Sequence, residues 1–178
     1  MTHHEDFSNA LVAQLPGLRR YARALCGNAA LADDLVQDCI ERALRQSRQL
    51  RELPLLPRWL RRILHNLYID EIRRRRGRGP EQDIAELADR QELSVAATDG
   101  GARDFVRAMN ALNMEHRQIL LLVGLEDLSY REIAEELDVP IGTVMSRLAR
   151  ARERLRGLME QEGPVNVVSS ILPVKDPS

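Results

Sequence analysis

The chain has 178 residues, 44 % of them apolar, which suits one large domain or two small domains with substantial hydrophobic cores. Aromatic residues make up only 3 %, whereas Leu, Ala, Arg and Glu are abundant, so an all-α fold is expected. A net charge of −1 excludes a strong overall attraction to nucleic acid. No apolar run is long enough to cross a bilayer and no signal-like pattern begins the chain, so a cytoplasmic protein with no membrane insertion of its own is expected.

The N-terminal part predicts two short helices. Residues 5–15 carry apolar side chains on one face, and Pro16 followed by Gly17 is expected to end this helix. A second helix is expected to end near Gly27.

The next helix is predicted to begin after Asn28, a good N-cap residue, and to run to about Gln46. Its predicted buried side consists of Ala32, Leu35, Val36, Cys39, Ile40, Ala43 and Leu44. Its opposite side carries an acidic stripe, spaced i, i+3, i+4 and i+7, formed by Asp34, Gln37, Asp38 and Glu41. Such a stripe is either solvated surface or a docking site for an arginine-rich helix of a partner. Cys26 and Cys39, the only cysteines, lie in apolar helical patterns and are expected to be buried free thiols, not a disulfide or a metal pair.

A leucine-rich loop and a basic helix follow. The loop at residues 51–57 is unusually apolar, so its leucines either fold back on the core or line a pocket for a partner. The helix is predicted over residues 58–76, with an apolar side of Trp59, Ile63, Leu67, Ile69 and Ile72. Asn66, Tyr68, Asp70 and the arginines are assigned to its polar side. The arginine run at its end either complements the helix dipole or binds phosphate.

The remaining sequence predicts a second helical unit. An acidic linker leads to a helix containing Phe105 and Met109, and Asn113 is expected to cap the next helix, which ends near Gly124. Residues 128–156 then read as a helix-turn-helix. Ser129 and Glu132 form a capping box, and residues 138–142, which include a proline and a glycine, make the turn. The second helix buries Val144, Leu148, Ala151 and Leu155 and exposes a basic face. The C-terminal tail is either frayed or a short strand.

Three motifs carry a resemblance to a known family. ADDLVQDCIERAL at residues 32–44 is similar to a helix that binds RNA polymerase, and PRWLRRILHNLYIDEIRRRRGR at residues 57–78 resembles a helix that meets the −10 promoter element. LSYREIAEELDVPIGTVMSRLARARERL at residues 128–155 resembles a hairpin that reads the −35 element. Together and in this order, they resemble bacterial RNA polymerase sigma factors of the extracytoplasmic-function (ECF) group.

The resemblance implies two small helical domains joined by a flexible acidic linker. A region-2-like domain would span residues 1–78, the linker 79–102, a region-4-like helix-turn-helix domain 103–160, and a tail 161–178. The acidic stripe, Asp34, Gln37, Asp38 and Glu41, would dock on core RNA polymerase. Contacts to the −10 element are implied for Leu50, Leu53, Leu55, Trp59, Asn66, Arg73, Arg74, Arg75 and Arg76. Contacts to the −35 element are implied for Ser129, Thr143, Met145, Ser146, Arg147, Arg150 and Arg152.

The implied function is an alternative sigma factor without catalysis, cofactor or metal, whose partners are core RNA polymerase, promoter DNA and an anti-sigma factor. Some family members have an arginine where this chain has Met145 and an aromatic residue where it has Ala149, so direct base reading is expected to be reduced. A stand-alone helix-turn-helix regulator and a sigma-like decoy for an anti-sigma protein are the alternatives. A sigma factor is favoured over the former because a stand-alone regulator does not need the acidic stripe.

Overall fold

The computed structural model describes residues 3–76 and 100–160, and the chain divides into two compact units, Met1–Glu92 and Leu93–Ser178. The described part of the first unit contains α1 (His3–Cys26), α2 (Ala29–Arg45) and α3 (Leu56–Arg76), with 3-10 turns at Ser47–Gln49 and Leu53–Leu55. That of the second contains α4 (Gly100–Ala111), α5 (Met114–Gly124), α6 (Tyr130–Leu137) and α7 (Ile141–Glu160). These ranges contain no strand, which confirms the predicted all-α fold. Most of the predicted linker and the whole tail lie outside the described residues.

The N-terminal segment forms one helix, so the predicted break at Pro16 is wrong. Helix α1 continues through Pro16, which is exposed, and a Cβ added at Gly17 would meet nothing within 4 Å. The buried face stays in phase on both sides of the proline, with Leu11 before it and Leu18 after it. Packing of this face against α2 and α3 therefore offsets the loss of one backbone hydrogen bond, which proline causes on the solvent side.

Helix α2 begins and packs largely as predicted. Gly27 takes a left-handed conformation (φ 68°) that ends α1, and the Asn28 side chain accepts a 2.7 Å hydrogen bond from the Leu31 backbone N–H. Five residues of the predicted buried side are buried, namely Ala32, Leu35, Val36, Cys39 and Ala43. Ile40 is half-buried and Leu44 is exposed, because the apolar sector predicted for α2 is wider than the surface that α1 and α3 cover.

Helix α3 differs from its prediction at its start and in its buried face. It begins at Leu56, directly after a 3-10 turn, and Leu56 is buried, so part of the leucine-rich loop does fold back on the core. The buried face includes Leu60, Leu64 and Tyr68, although Tyr68 had been assigned to the polar side. Trp59, Leu67, Ile69 and Ile72, predicted as the apolar side, are only half-buried. Because α3 packs on both α1 and α2, its buried sector is rotated from the one that the larger side chains suggested.

The second unit is built around α7, which packs against α4, α5 and α6. The Asn113 side chain caps α5 by accepting a 2.8 Å hydrogen bond from the His116 backbone N–H, as predicted. The residues of α7 that were expected to be buried, Val144, Leu148, Ala151 and Leu155, are all buried.

The helix-turn-helix forms where the sequence indicated. Ser129 and Glu132 make the complete capping box at the start of α6. Asp138 ends α6 in a left-handed conformation (φ 54°), and the Pro140 carbonyl accepts the first backbone hydrogen bond of α7, from Thr143 at 2.8 Å. None of the described helices combines the length and apolarity needed to cross a membrane.

Candidate nucleic-acid interface

The acidic stripe lies on the solvent side of α2. All four of its members, Asp34, Gln37, Asp38 and Glu41, are exposed. Glu41 is bound by Arg45 of the same helix, with 3.2 Å between the guanidinium nitrogen and the carboxylate oxygen. The neighbouring Asp33, outside the stripe, is held by Arg23 of α1 at 3.2 Å. Within the described residues, Asp34 and Asp38 have no such ion pair, so the stripe presents two carboxylates that are available to an external cation.

The leucine-rich loop supplies both core and surface. Leu50 is buried, so its side chain contributes to the core of the first unit. Leu53 is half-buried, and Leu55 keeps 43 % of its surface exposed. Trp59 is half-buried and packs edge-on against the ring of Phe7, with the ring centroids 6.4 Å apart. The fold therefore leaves Leu55 as the most accessible apolar residue of this group.

The basic end of α3 is organised around a buried carboxylate. Glu71 is buried and accepts hydrogen bonds from Arg74 and Arg75, each arginine reaching a different carboxylate oxygen. Burial alone would raise the pKa of Glu71, but the hydrogen bonds and charges of Arg75 and Arg74 outweigh it and lower that pKa. Arg73 and Asn66 are exposed on the same helix. Of the predicted phosphate-binding cluster, Arg74 and Arg75 therefore contact Glu71, Arg73 is exposed, and the side chain of Arg76 lies outside what the structure describes.

Two titratable groups lie in the interior beside these surfaces. The Cys39 thiol donates a 3.4 Å hydrogen bond to the Leu60 carbonyl, and burial raises its pKa to about 12. The other cysteine, Cys26, is also a buried free thiol, so the prediction for both cysteines is confirmed. His65 is half-buried, its Nδ1 atom has no hydrogen-bond partner among the described residues, and burial lowers its pKa.

The exposed face of α7 is more apolar than its arginine count suggests. Met145, Ser146 and Arg150 are exposed, with Met145 showing 43 % of its surface. The Ser146 hydroxyl donates to the Thr143 carbonyl at 3.1 Å, so outward it can only accept. Arg147 is half-buried and lies 4.0 Å from the Glu115 carboxylate.

Two other residues predicted to contact the −35 element are less available to DNA, because one makes a hydrogen bond within the second unit and the other is half-buried. The Ser129 hydroxyl is occupied by the capping box, donating to Glu132 at 2.7 Å. Arg152 is half-buried on the flank of α7. The structure therefore singles out Arg150 as the exposed cation of α7 among the predicted −35 residues.

Known proteins identify the family. A curated ECF RNA polymerase sigma factor, EcfG of Rhodopseudomonas palustris, is 34 % identical to the chain over 175 residues, which cover 94 % of the chain and 96 % of the relative. The chain belongs to the ECF sigma factors. The SigM sigma factor of Mycobacterium tuberculosis is 33 % identical over 147 residues, 80 % of the chain and 71 % of the relative. The resemblance drawn from the three motifs is thereby confirmed.

Structural and domain comparisons agree with this family. The sigma factor RpoE of Bartonella quintana, solved in complex with the anti-sigma factor NepR, superimposes with a TM-score of 0.72 at 29 % identity, over 88 % of this chain and 98 % of the relative. The family "Sigma-70, region 4" matches residues 102–155, and "Sigma2 domain of PhyR" matches residues 11–65. The second match includes the acidic stripe and ends one residue before Asn66, so the basic end of α3 lies beyond it.

Two structural features of this sigma factor were missed from its sequence. The first is Glu71, whose spacing of three and four residues from Arg74 and Arg75 predicts intrahelical pairs. Arg117 was not singled out, yet it is buried and donates hydrogen bonds to the carbonyls of Met109, Asn110 and Leu112. No local pattern indicates Arg117, because its acceptors are the carbonyls at the end of the preceding helix.

Proposed function

We propose that this ECF sigma factor directs core RNA polymerase to promoters by using the first unit to dock and to hold melted DNA, and the second unit to bind the −35 element. One observation carries the proposal. A single chain of this family combines an exposed acidic helix face, where Asp34 and Asp38 form no ion pair with any described residue, and a helix-turn-helix whose second helix exposes Arg150.

Docking on polymerase is assigned to the acidic stripe. Carboxylates bind arginine and lysine of a partner through charge-assisted hydrogen bonds, which are about twice as strong as neutral ones. Within the part of the chain that the structure describes, Asp34 and Asp38 have no ion pair to break before they make such bonds, unlike Glu41. Their helix is held by the Asn28 cap and by burial of its opposite face, so the two carboxylates are presented at a fixed spacing.

Binding of the melted −10 strand is assigned to the surface around the leucine-rich loop and α3. A base extruded from the duplex needs apolar or aromatic surface for stacking and polar groups for its edge. Leu53, Leu55 and Trp59 supply the former, and Asn66 supplies an amide that both donates and accepts. Arg73 and Arg74 extend from the same helix toward solvent and would bind backbone phosphates.

Binding of the −35 element is assigned to α7. The Arg150 guanidinium can donate two hydrogen bonds to guanine, which is worth about 1–3 kcal/mol of discrimination. Ser146 accepts hydrogen bonds from adenine or cytosine amino groups, and Met145 offers apolar contact to a thymine methyl group. Arg147 and Arg152 are half-buried and are assigned to phosphates or to packing within the unit.

An anti-sigma partner is also proposed. The Bartonella quintana relative was solved in complex with an anti-sigma factor, and this chain covers 98 % of that relative at 29 % identity.

The test is run-off transcription with core RNA polymerase and genomic DNA from the source organism, with and without the full-length protein. New transcription start sites that require the protein are the expected result. No new start sites would overturn the proposal, and tight binding to duplex DNA without polymerase would favour a stand-alone regulator.

The docking assignment has its own test, co-purification with core RNA polymerase in the absence of DNA. The double variant Asp34→Arg/Asp38→Arg is expected to lose binding to core polymerase. The matched control, Glu153→Arg/Glu160→Arg, makes the same change in net charge at exposed positions of α7 and should bind normally. Retention of core polymerase by the first variant would show that the stripe is not the docking surface.

A further inference from the structure

The basic end of α3 contains a buried carboxylate, that of Glu71. Glu71 is 8 % exposed, whereas most charged side chains around it are at the surface. A buried carboxylate is unfavourable unless it is paired and hydrogen-bonded. Both oxygens of Glu71 meet that requirement through arginines one turn further along the helix, Arg74 at i+3 and Arg75 at i+4.

The two hydrogen bonds orient the arginines differently. Arg75 donates its Nε–H at 2.5 Å, and its side chain is 29 % exposed. Arg74 donates from one terminal nitrogen, and its side chain remains 62 % exposed. A guanidinium carries five N–H donors in a rigid plane. One bond to Glu71 therefore fixes the direction of the Arg74 plane while its Nε–H and its other terminal nitrogen have no partner within the described residues.

We propose that Glu71 is a positioning residue, which orders the Arg74 and Arg75 guanidinium groups for the phosphates of the melted promoter strand. This inference rests on the assignment of that strand to the first unit under the proposed function. A free arginine loses side-chain conformational freedom when it binds a phosphate, and this loss weakens binding. Glu71 imposes that loss during folding, so the bound strand meets groups that are already ordered.

The pairing also reduces the local positive charge, which on its own would weaken binding to DNA. Positioning and simple electrostatics therefore predict opposite changes in the affinity for the DNA strand when this carboxylate is removed. If Glu71 only neutralises charge, Glu71→Gln will bind the strand more tightly. If Glu71 positions the arginines, Glu71→Gln will bind more weakly despite the added positive charge.

The experiment measures open-complex formation by the full-length protein with core polymerase, on a promoter found by the run-off transcription described above. Glu71→Gln is expected to lower the equilibrium constant for the open complex about three- to tenfold, which corresponds to losing one or two ordered side chains. Glu71→Asp, which keeps the charge but shortens the reach, should lose a similar factor. Asp70→Asn is the matched control, because Asp70 is exposed, lies one residue away and has no ion pair within the described residues. It should leave the constant unchanged or raise it.

A second measurement separates positioning from a general effect on the fold. In an Arg74→Ala/Arg75→Ala background, Glu71→Gln should produce no further loss, because the groups that it positions are absent. An equal loss in both backgrounds would overturn the inference, as would tighter binding by Glu71→Gln. If Glu71→Gln fails to fold, the comparison of Glu71→Asp in the two backgrounds decides. If the unchanged protein forms no open complex, the proposed function itself has failed.

Discussion

Arg117 is the buried charge on which the second unit should depend most, and its replacement by methionine tests this. The guanidinium donates to the backbone carbonyls of Met109 at 2.9 Å, Asn110 at 2.6 Å and Leu112 at 3.1 Å. These carbonyls lie at the end of α4 and just beyond it, where a helix leaves acceptors without intrahelical partners. Methionine keeps much of the apolar stem of arginine but removes its N–H donors and its positive charge.

The expected cost follows from counting the acceptors that lose their donor. The Met109 carbonyl keeps a hydrogen bond from the Leu112 backbone N–H at 3.3 Å, so it is not orphaned. The Asn110 and Leu112 carbonyls lose the Arg117 bonds. An unsatisfied buried acceptor costs about 1–3 kcal/mol. Since Asn110 is half-buried and water can reach it in part, we expect Arg117→Met to lower the free energy of unfolding by about 2–4 kcal/mol.

The chain offers a way to assign this loss to one unit. Trp59 is the only tryptophan and lies in the first unit, so its fluorescence follows unfolding there. Far-UV circular dichroism follows the helices of both units. In urea unfolding, Arg117→Met should move part of the dichroism transition to a lower urea concentration. The midpoint of the transition followed by Trp59 fluorescence should stay unchanged. The control Arg107→Met makes the same change at an arginine of α4 whose side chain is 56 % exposed. It should cost less than about 1 kcal/mol.

Two outcomes would refute this reasoning. A loss below about 1 kcal/mol would mean that water satisfies the carbonyls once arginine is removed. An equal shift of the Trp59 transition would mean that the effect is not confined to the second unit.

Three further predictions concern the same surfaces and interiors. Arg150→Ala should reduce transcription about 5- to 150-fold from promoters with an intact −35 element and have little effect where that element is already altered; equal losses on the two promoters would exclude a −35 role. Ser129→Ala should lower the unfolding free energy of the second unit by about 1 kcal/mol in urea, and Ser129→Asp, which retains a capping oxygen, should restore most of it; no difference between the two would exclude capping as the cause. Because burial lowers the pKa of His65, the unfolded chain binds its proton more readily, so stability should fall as the pH drops below about 6.5. His65→Gln should remove that part of the pH dependence of the unfolding free energy, and identical pH profiles would contradict the assignment.

The features that could be predicted from the sequence are those decided within a few residues. Asn28, Asn113 and the Ser129–Glu132 capping box all act on backbone N–H groups three residues away. Their role as helix caps can therefore be predicted from the residue types and their spacing. The buried stripe of α7 could also be predicted, because Val144, Leu148, Ala151 and Leu155 recur at spacings of four, three and four residues along one helical face.

The errors arose where packing across the chain decides the outcome. Pro16 looks like a helix end, but α1 continues because its buried face remains in contact with α2 and α3 on both sides of the proline. Tyr68 is buried and Trp59 is only half-buried, the reverse of the expectation. The reason is that α3 packs against two helices at once, which cannot be seen from the periodicity of α3 alone. The arginine run at residues 73–76 was expected to complement the helix dipole or to bind phosphate, whereas Glu71 engages two of its members. Arg117, for which the sequence predicted no role, donates hydrogen bonds to the backbone.

The packing of α2 on α3 also explains how two separate tasks can be coordinated within the first unit. The acidic stripe and the Cys39 thiol project from opposite sides of α2, and the thiol donates to the Leu60 carbonyl of α3. Leu60 lies directly after Trp59, so the groups assigned to the melted strand are fixed relative to the groups assigned to polymerase by a buried contact. Close-packed interiors hold their parts in fixed relative positions because they contain few voids. Polymerase bound at Asp34 and Asp38 would thus set the position of the Trp59 and Asn66 surface without requiring any rearrangement of the unit.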